Sequence, residues 1–254
     1  MKVLFSIALM LAAVAVLSFS VPVQASGQDD KIVSSAKQSH VFKTYLKDDD
    51  IKIKSKDGVV SLTGTVSEES RKFLAAETVA GLPGVKSVDN KLEVKGEKQA
   101  EMSDAWLMTK VKTTLLFRRS VSGLKTEVDV KDGIVTLRGD AENQAQKDLV
   151  TEYAKDIEGV KNVKNEMTVA KTAKETKDPR TAGDKIDDAS ITAMVKTTLL
   201  YHRSTSGLQT KVETKNGVVT LSGKVKNAAE RDLATKYAKD VNGVEDVKNR
   251  MTIE

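Results

Sequence analysis

Two hydrophobic patterns alternate along the chain, and the same order of patterns occurs three times. In the middle copy, positions at three- and four-residue spacing predict a first helix with one apolar face. They are Leu107, Val111, Thr114, Leu115 and Leu116. Strict alternation around Val128 and Leu137 then predicts two strands. A second stripe at helical spacing comprises Ala145, Leu149, Tyr153 and Ile157, and alternation from Val163 to Val169 predicts a last strand.

Two glycine signatures define the boundaries inside each copy. Asp57-Gly58, Asp132-Gly133 and Asn216-Gly217 lie between the first two strands, and such pairs favour the type I′ turn of a hairpin. A second glycine follows each turn glycine after 26 positions, at Gly84, Gly159 and Gly243. We expect it to end the second helix in a left-handed conformation. The six glycines are therefore predicted to be structural.

Helix starts are predicted from capping residues. Ser103 or Asp104 begins the first helix of copy two, and the second helices begin near Asn143, Asn227 and, in copy one, Ser67. Copy one reaches its first strand with about five fewer residues than the others, so its first helix is expected to be shorter or differently seated.

These elements predict an α+β fold of three small tandem domains in the order αββαβ, each with two helices on a three-stranded sheet. The domains span residues 31–96, 103–170 and 187–254. The segment 171–186 is charged and contains Pro179 and Gly183, which predicts a flexible linker. On this basis copies one and two pack together while copy three moves.

Residues 1–25 have the features of a cleavable signal peptide. Lys2 precedes an apolar run that is shorter than the roughly 20 residues needed to span a bilayer, and the run leads to small residues before Ser26. The mature chain is therefore expected to be a soluble protein of the periplasm. The sequence contains no Cys, which excludes a lipid-bearing N-terminal Cys, disulfides and thiol chemistry.

The repeated Gly-Val-Val-Thr-Leu-Ser-Gly hairpin (217–223) and the Gly-Val-x-x-Val-x-Asn segment before the last strand resemble the BON domain family. The resemblance covers nearly all of the mature chain and is nearest to secreted tandem-BON proteins. It implies an association with the bacterial envelope, osmotic stress and phospholipid, with chaperone-like activity in some members. It implies no enzymatic chemistry and no cofactor.

Catalytic and metal sites are not indicated by the residues. His40 and His202 are the only histidines and lie in non-equivalent contexts, so neither a zinc site nor a catalytic site is predicted. Gly223-Lys224 departs from a phosphate loop in spacing and lacks the required Ser or Thr. No small-molecule substrate is indicated. Nucleic acid is not expected, because the net charge of +5 is dispersed and aromatic residues are only 4% of the chain.

The candidate contact with a partner lies at the ends of the first helices of copies two and three. Aromatic and cationic side chains are concentrated there: Trp106, Lys110, Phe117, Arg118, Arg119, Tyr201, His202 and Arg203. Such residues suit an anionic phospholipid surface. The alternative is that the apolar residues are core and the arginines complement the helix dipole in a solvated turn.

Two functions remain open from the sequence. One is peripheral binding to anionic phospholipid by a non-enzymatic envelope protein under osmotic or other stress. The other is a soluble periplasmic chaperone or adaptor that binds client or partner proteins.

Overall fold

The computed structural model describes residues 23–95, 103–121, 126–169, 185–205 and 209–254. Its helices are α1 (Val23–Gln38), α2 (Glu69–Ala80), α3 (Asp104–Leu116), α4 (Gln144–Lys155), α5 (Asp188–Tyr201) and α6 (Ala228–Lys239). The strands are β1 (Asp50–Lys56), β2 (Val59–Val66), β3 (Ser87–Val94), β4 (Glu127–Lys131), β5 (Ile134–Arg138), β6 (Asp140–Ala141), β7 (Asn162–Asn165), β8 (Thr168–Val169), β9 (Thr210–Lys215), β10 (Val218–Val225), β11 (Asp246–Asn249) and β12 (Thr252–Ile253).

Each copy, called a repeat from here on, builds a mixed sheet around its middle strand. In repeat one, β2 pairs antiparallel with β1 and parallel with β3, so Leu62 lies opposite Ile53 and Asn90. Repeats two and three use the same strand pairing, but their last strand is divided into two short segments. In repeat two the middle strand is also divided, and β6 pairs with β8 in a separate two-stranded sheet. The sequence prediction of an α+β fold is thereby confirmed.

The three hairpin turns have the backbone predicted for type I′. The residue before each turn glycine has a positive φ of 54°, 54° and 49° at Asp57, Asp132 and Asn216. The glycines that follow have φ of 81°, 79° and 75°. Two consecutive residues at positive φ define this turn, and its twist suits the flanking strands.

Local signals located the helix starts better than the helix ends. Ser103, Asn143 and Asn227 are the N-caps of α3, α4 and α6, and each side chain accepts a backbone N–H within the first turn. In repeat one the cap is Glu68, one residue after the predicted Ser67.

The second helices end earlier than predicted. In repeat two α4 ends at Lys155, and Gly159 lies in the following turn at φ 93°. Gly84 and Gly243 have the same left-handed backbone at equivalent places, φ 88° and 86°. The predicted conformation of these glycines is present, but their role is in a turn after the helix.

Two predicted core positions face solvent instead. Ala145 is exposed, and the buried side of α4 is formed by Val150, Tyr153 and Ala154. Leu116 is also exposed at the end of α3.

The first helix of repeat one is not shorter than α3, even without Val23 to Ala25, which belong to the predicted signal peptide. It has 16 residues, compared with 13 in α3 and 14 in α5, and a π-helical turn, Val41–Tyr45, follows it. Backbone N–H groups at His40 and Val41 donate to Asp187 and Ser190 of repeat three, at 2.7 and 3.0 Å. The third repeat thus binds amides at the start of the π-helical turn, where the first N–H groups of a helical segment have no partner within it.

Repeat three packs against both other repeats, which corrects the expectation that it moves apart from a packed pair of repeats one and two. Eleven of the 14 residues of α5 are buried, and a helix buried on all sides lies in a core. It packs on α2 of repeat one, where Lys196 pairs with Glu77 at 2.5 Å. The predicted linker lies outside the described residues except for Lys185 and Ile186, and Ile186 packs against the core.

Within the described part of the chain, no helix is both long enough and apolar enough to cross a bilayer.

Candidate functional site at the junction of repeats two and three

The structure places most of the predicted lipid-contact residues between repeats. Arg118 and His202 are fully buried, and Phe117, Tyr201 and Lys110 are also buried. These five side chains therefore do not form the exposed surface that their composition suggested. Trp106 is partly buried, and Arg119 and Arg203 are exposed.

Two reciprocal backbone contacts explain this burial. The turn after α3 pairs with the end of α6 through an antiparallel bridge between Arg118 and Val241, and the turn after α5 pairs with the end of α4 through His202 and Ile157. All four residues have their counterpart 84 positions away. The junction is therefore close to a two-fold symmetric interface between repeats.

Backbone hydrogen bonds across the junction follow the same symmetry. The Arg119 N–H donates to the Asp240 carbonyl at 2.8 Å, and the Arg203 N–H donates to the Asp156 carbonyl at 2.6 Å. Asn242 N–H also donates to Phe117 O at 3.0 Å. Asp156 and Asp240, the residues that follow α4 and α6, thus give their carbonyls to the opposite repeat.

Arg118 lies at the centre of the junction. Its Nη1 donates to the Tyr237 carbonyl at 2.9 Å, and its Nη2 lies 2.5 Å from His202 Nε2. The guanidinium carbon lies 4.4 and 4.9 Å from the ring centres of Tyr153 and Tyr237, within cation–π distance. Burial lowers the pKa of Arg118, and Tyr153 and Asp240 oppose that shift.

Each repeat supplies one carboxylate to the junction. Asp240 accepts hydrogen bonds from Ser120 Oγ at 2.7 Å and Tyr153 OH at 2.6 Å. Asp156, its counterpart, accepts from Ser204 Oγ and from Tyr237 OH. Each carboxylate is thus held by a serine and a tyrosine of the partner repeat, and the two sites differ only in what else they bind.

The two carboxylates differ because Asp156 also binds His202. Its Nδ1 lies 3.1 Å from Asp156 Oδ2, and a carboxylate only accepts, so Nδ1 carries the proton. Burial lowers the pKa of His202, the bond to Asp156 raises it and Arg118 lowers it again; the net direction is down. For Asp156, burial opposes ionisation but hydrogen bonds from His202, Ser204 and Tyr237 outweigh it, and its pKa is lowered.

The pKa values of the two junction tyrosines are raised. Burial and the hydrogen bond to Asp240 raise the pKa of Tyr153 to about 12. Burial and the bond to Asp156 also raise the pKa of Tyr237. Both phenols therefore stay protonated at neutral pH and donate hydrogen bonds to the carboxylates. This arrangement is suited to holding two repeats together.

Trp106, Lys110 and Tyr201 form a second group beside the junction. Lys110 Nζ lies 3.7 Å from the Trp106 ring centre and 5.1 Å from that of Tyr201. Phe117 packs edge-on against Tyr45 of repeat one, with ring centres 5.0 Å apart. The structure thus brings the predicted residues together as contacts among three repeats.

Two leucines remain exposed at the same place in repeats two and three. Leu116 is the last residue of α3 and Leu200 the last but one of α5, with 38% and 43% of their surface accessible. Each is followed three residues later by an exposed arginine, Arg119 or Arg203. The guanidinium groups of these arginines contact carbonyls of the opposite repeat, at Val244 and Val160.

The sequence patterns did not identify the tyrosines and aspartates of the junction as a set. A signal was present, because Tyr153, Asp156 and Ser120 recur 84 positions later as Tyr237, Asp240 and Ser204. Repeat one has Thr78 and Gly81 where the others have Tyr and Asp. These residues, shared by repeats two and three, lie in the contact between those two repeats.

In the described residues, no group of three or more His, Cys, Asp or Glu side chains is arranged to hold a metal ion.

Comparison with known proteins agrees with the repeat structure. The BON domain family model matches residues 28–96, 103–171 and 187–254. The chain is 36% identical over 143 residues to osmotically-inducible protein Y of Escherichia coli, covering 55% of this chain and 71% of that protein. It is 37% identical over 90 residues to the outer membrane lipoprotein DolP of Haemophilus influenzae, covering 33% of this chain and 44% of that protein.

A solved structure of CdsD, a structural protein of the type III secretion system of Chlamydia trachomatis, matches with 16% identity over 89% of this chain and 91% of that one. Its TM-score of 0.24 is too low to support an argument. The family matches cover most of the sequence and fall on the three structural repeats. The chain therefore belongs to the BON domain family, with three copies of the domain.

Proposed function

We propose that this chain is a non-enzymatic protein of the bacterial envelope that binds anionic phospholipid surfaces peripherally through repeats two and three. One relative is named for osmotic induction and another is named as an outer membrane lipoprotein. Residues 1–25 have the composition of an export signal. Both features support a place in the envelope.

The exposed leucine pair carries the proposal. Leu116 and Leu200 are exposed at matching positions, each three residues before an exposed arginine, Arg119 or Arg203. Apolar side chains next to arginines suit a surface with anionic headgroups above acyl chains. This contact replaces the larger set predicted from the sequence, because Arg118, His202 and their neighbours are buried in the junction.

The contact is expected to be weak and reversible. Two leucines bury little apolar area, and even a single myristoyl chain gives only marginal membrane binding. Electrostatic attraction adds to it at low salt and is screened as salt rises. Binding should therefore depend on both the leucines and the anionic lipid.

Vesicle sedimentation tests the proposal with a matched control. The double variant Leu116→Ser/Leu200→Ser should lose most of its binding to vesicles that contain anionic phospholipid. The control is Val169→Ser/Ile253→Ser, a second pair of exposed apolar residues 84 positions apart, which should bind as the unsubstituted protein does. Neutral vesicles should bind none of the three proteins strongly.

Equal binding by all three proteins, or binding that ignores lipid charge, would contradict the lipid contact. The chaperone or adaptor function would then be preferred, and suppression of the aggregation of an unfolded outer-membrane protein is the measurement for it.

A further inference from the structure

The junction between repeats two and three is nearly symmetric, but its centre is not. Serine, tyrosine and aspartate occupy equivalent positions on both sides. At the centre, Arg118 of repeat two meets His202 of repeat three, and these two residues are counterparts in the repeat alignment. If either repeat met a second copy of itself, the same residue would occupy both places.

Hydrogen-bond roles decide which combination fits. Arg118 can only donate, because a guanidinium has no acceptor. His202 donates from Nδ1 to Asp156, which leaves Nε2 as an acceptor 2.5 Å from Arg118 Nη2. One donor therefore meets one acceptor, in a place where both side chains are fully buried.

The two combinations of identical residues, arginine with arginine and histidine with histidine, both leave hydrogen-bonding groups unmatched, for opposite reasons. Two facing arginines would bring two cationic donors together without an acceptor between them. Two facing histidines, each with Nδ1–H held by its aspartate, would bring two acceptors together without a proton. Burial makes either mismatch costly, since water cannot replace the lost partner.

We propose that Arg118 and His202 are specificity residues that make the docking surface of repeat two accept the surface of repeat three and reject a second copy of itself. The partner that each surface fits is a BON repeat carrying the complementary residue at this one position. An interface built on matching tyrosine and aspartate sets would otherwise be self-complementary. The pair thus directs the junction to close between unlike repeats, which is a form of specificity by mismatch.

Exchange of the two residues tests the proposal in the full chain. The single variants His202→Arg and Arg118→His create the arginine–arginine and histidine–histidine combinations. The double variant Arg118→His/His202→Arg restores one donor and one acceptor. In the double variant, the imidazole that replaces the guanidinium in repeat two can donate from Nδ1 to Asp240, which already occupies the place equivalent to Asp156.

Amide hydrogen exchange reports the junction directly. The N–H groups of Arg119, Arg203 and Asn242 donate across it. Each single variant should raise their exchange rates about tenfold or more, and the double variant should return them toward the original values. The Gly217 amide, which donates to Asp188 inside repeat three, is the internal reference for folding and should not change.

A matched control is Arg138→His, at an exposed arginine that pairs with Glu166 away from the junction. It should leave the three junction amides unchanged. The proposal would be overturned if the junction amides of the double variant exchanged as fast as the summed effects of the two single variants predict. Restoring a pair of unlike residues would then not have restored the junction. Single variants with unchanged junction amides would overturn the proposal too.

Discussion

At the scale of single residues, three aspartates join the first helix to the hairpin turn of the same repeat. Asp29, Asp104 and Asp188 each accept both N–H groups of a turn 28 and 29 residues later. The hydrogen bonds from the Gly133 and Asp132 amides lower the pKa of Asp104. The turn residues thus have two functions, to reverse the chain and to bind the helix.

The turn of repeat three gives the prediction at this scale. Gly217→Val should destabilise the protein by about 1–3 kcal/mol, because a β-branched residue is strained at positive φ. A Cβ there would also lie 2.8 Å from Glu245 Cγ and 3.3 Å from the Gly243 carbonyl. Urea unfolding followed by circular dichroism measures the loss.

Asn216→Asp is the control for that experiment, because aspartate occupies the same position in the other two turns, also at positive φ. It should change the free energy of unfolding little. An unchanged stability for Gly217→Val would contradict the left-handed turn.

At the scale of elements, one asparagine positions the last strand on the second helix in repeats two and three. Asn249 Nδ2 donates to the Arg231 carbonyl at 2.9 Å and to Thr235 Oγ1 at 2.8 Å, and its Oδ1 accepts from Met251 N–H. Asn165 makes the equivalent three bonds in repeat two. The Asn that ends the repeated sequence signature therefore anchors the last strand to the second helix.

Elements defined by local chemistry were predictable, and those defined by distant contacts were not. Asp132-Gly133 specifies its turn within two residues, and Ser103 caps a helix within one turn. The burial of His202 was not predicted, because nothing nearby in the sequence shows that the turn after α5 pairs with Ile157 of another repeat. Leu116 was predicted as core from its helical spacing alone. That spacing does not show where α3 extends beyond the elements that pack against it.

Asn249→Asp tests the strand anchor. Aspartate keeps the acceptor for Met251 N–H but loses both donated bonds and faces a backbone carbonyl. A loss of about 1–3 kcal/mol in unfolding free energy is expected. The matched control is Asn162→Asp in the same kind of strand, where the exposed side chain accepts from Val163 N–H, so that stability should hardly change. Equal effects of the two substitutions would contradict the anchoring role.

At the scale of the whole molecule, repeat one contacts its neighbours differently because its residues differ at the contact positions. Thr78 and Gly81 replace the tyrosine and aspartate of the other repeats. At Gly81 a Cβ would lie 3.3 Å from Ala189 of α5, so the glycine lets the two repeats approach closely. Repeat one therefore packs closely on α5 at Gly81, beside the ion pair of Lys196 with Glu77, and lacks the tyrosine and aspartate through which repeats two and three pair.

The candidate site was predictable in composition but not in position. Arg118, His202, Phe117 and Tyr201 were predicted as contact residues because cationic and aromatic side chains cluster there in the sequence. Their burial depends on partners such as Tyr237, 119 positions from Arg118. Aromatic and cationic residues suit a lipid surface and a buried cation–π contact equally well, so composition alone could not choose between them.

The junction is also expected to weaken in mild acid. His202 is enclosed by Arg118 from the end of α3, by Asp156 and Tyr153 of the α4 segment, and by Tyr237 of α6. Burial is the largest cause of the shift that lowers the pKa of His202 below the usual 6.5. Between that usual value and the lowered one, the unfolded chain binds more protons, so stability falls as the pH decreases through this range. Above this pH range the neutral His202 ring contributes its full stabilisation of the folded protein.

Thermal unfolding between pH 7.5 and pH 5 should therefore show a falling melting temperature in the unsubstituted protein, in a range of about two and a half pH units around the ordinary histidine pKa. His202→Gln, which keeps a donor and an acceptor but does not titrate, should flatten that dependence. His40→Gln changes the other histidine of the chain and should leave the fall in place. A fall of the same size in His202→Gln would mean that other groups cause it. Keeping the measurements above about pH 5 separates His202 from Asp156, because the lowered pKa of Asp156 confines its protonation to stronger acid.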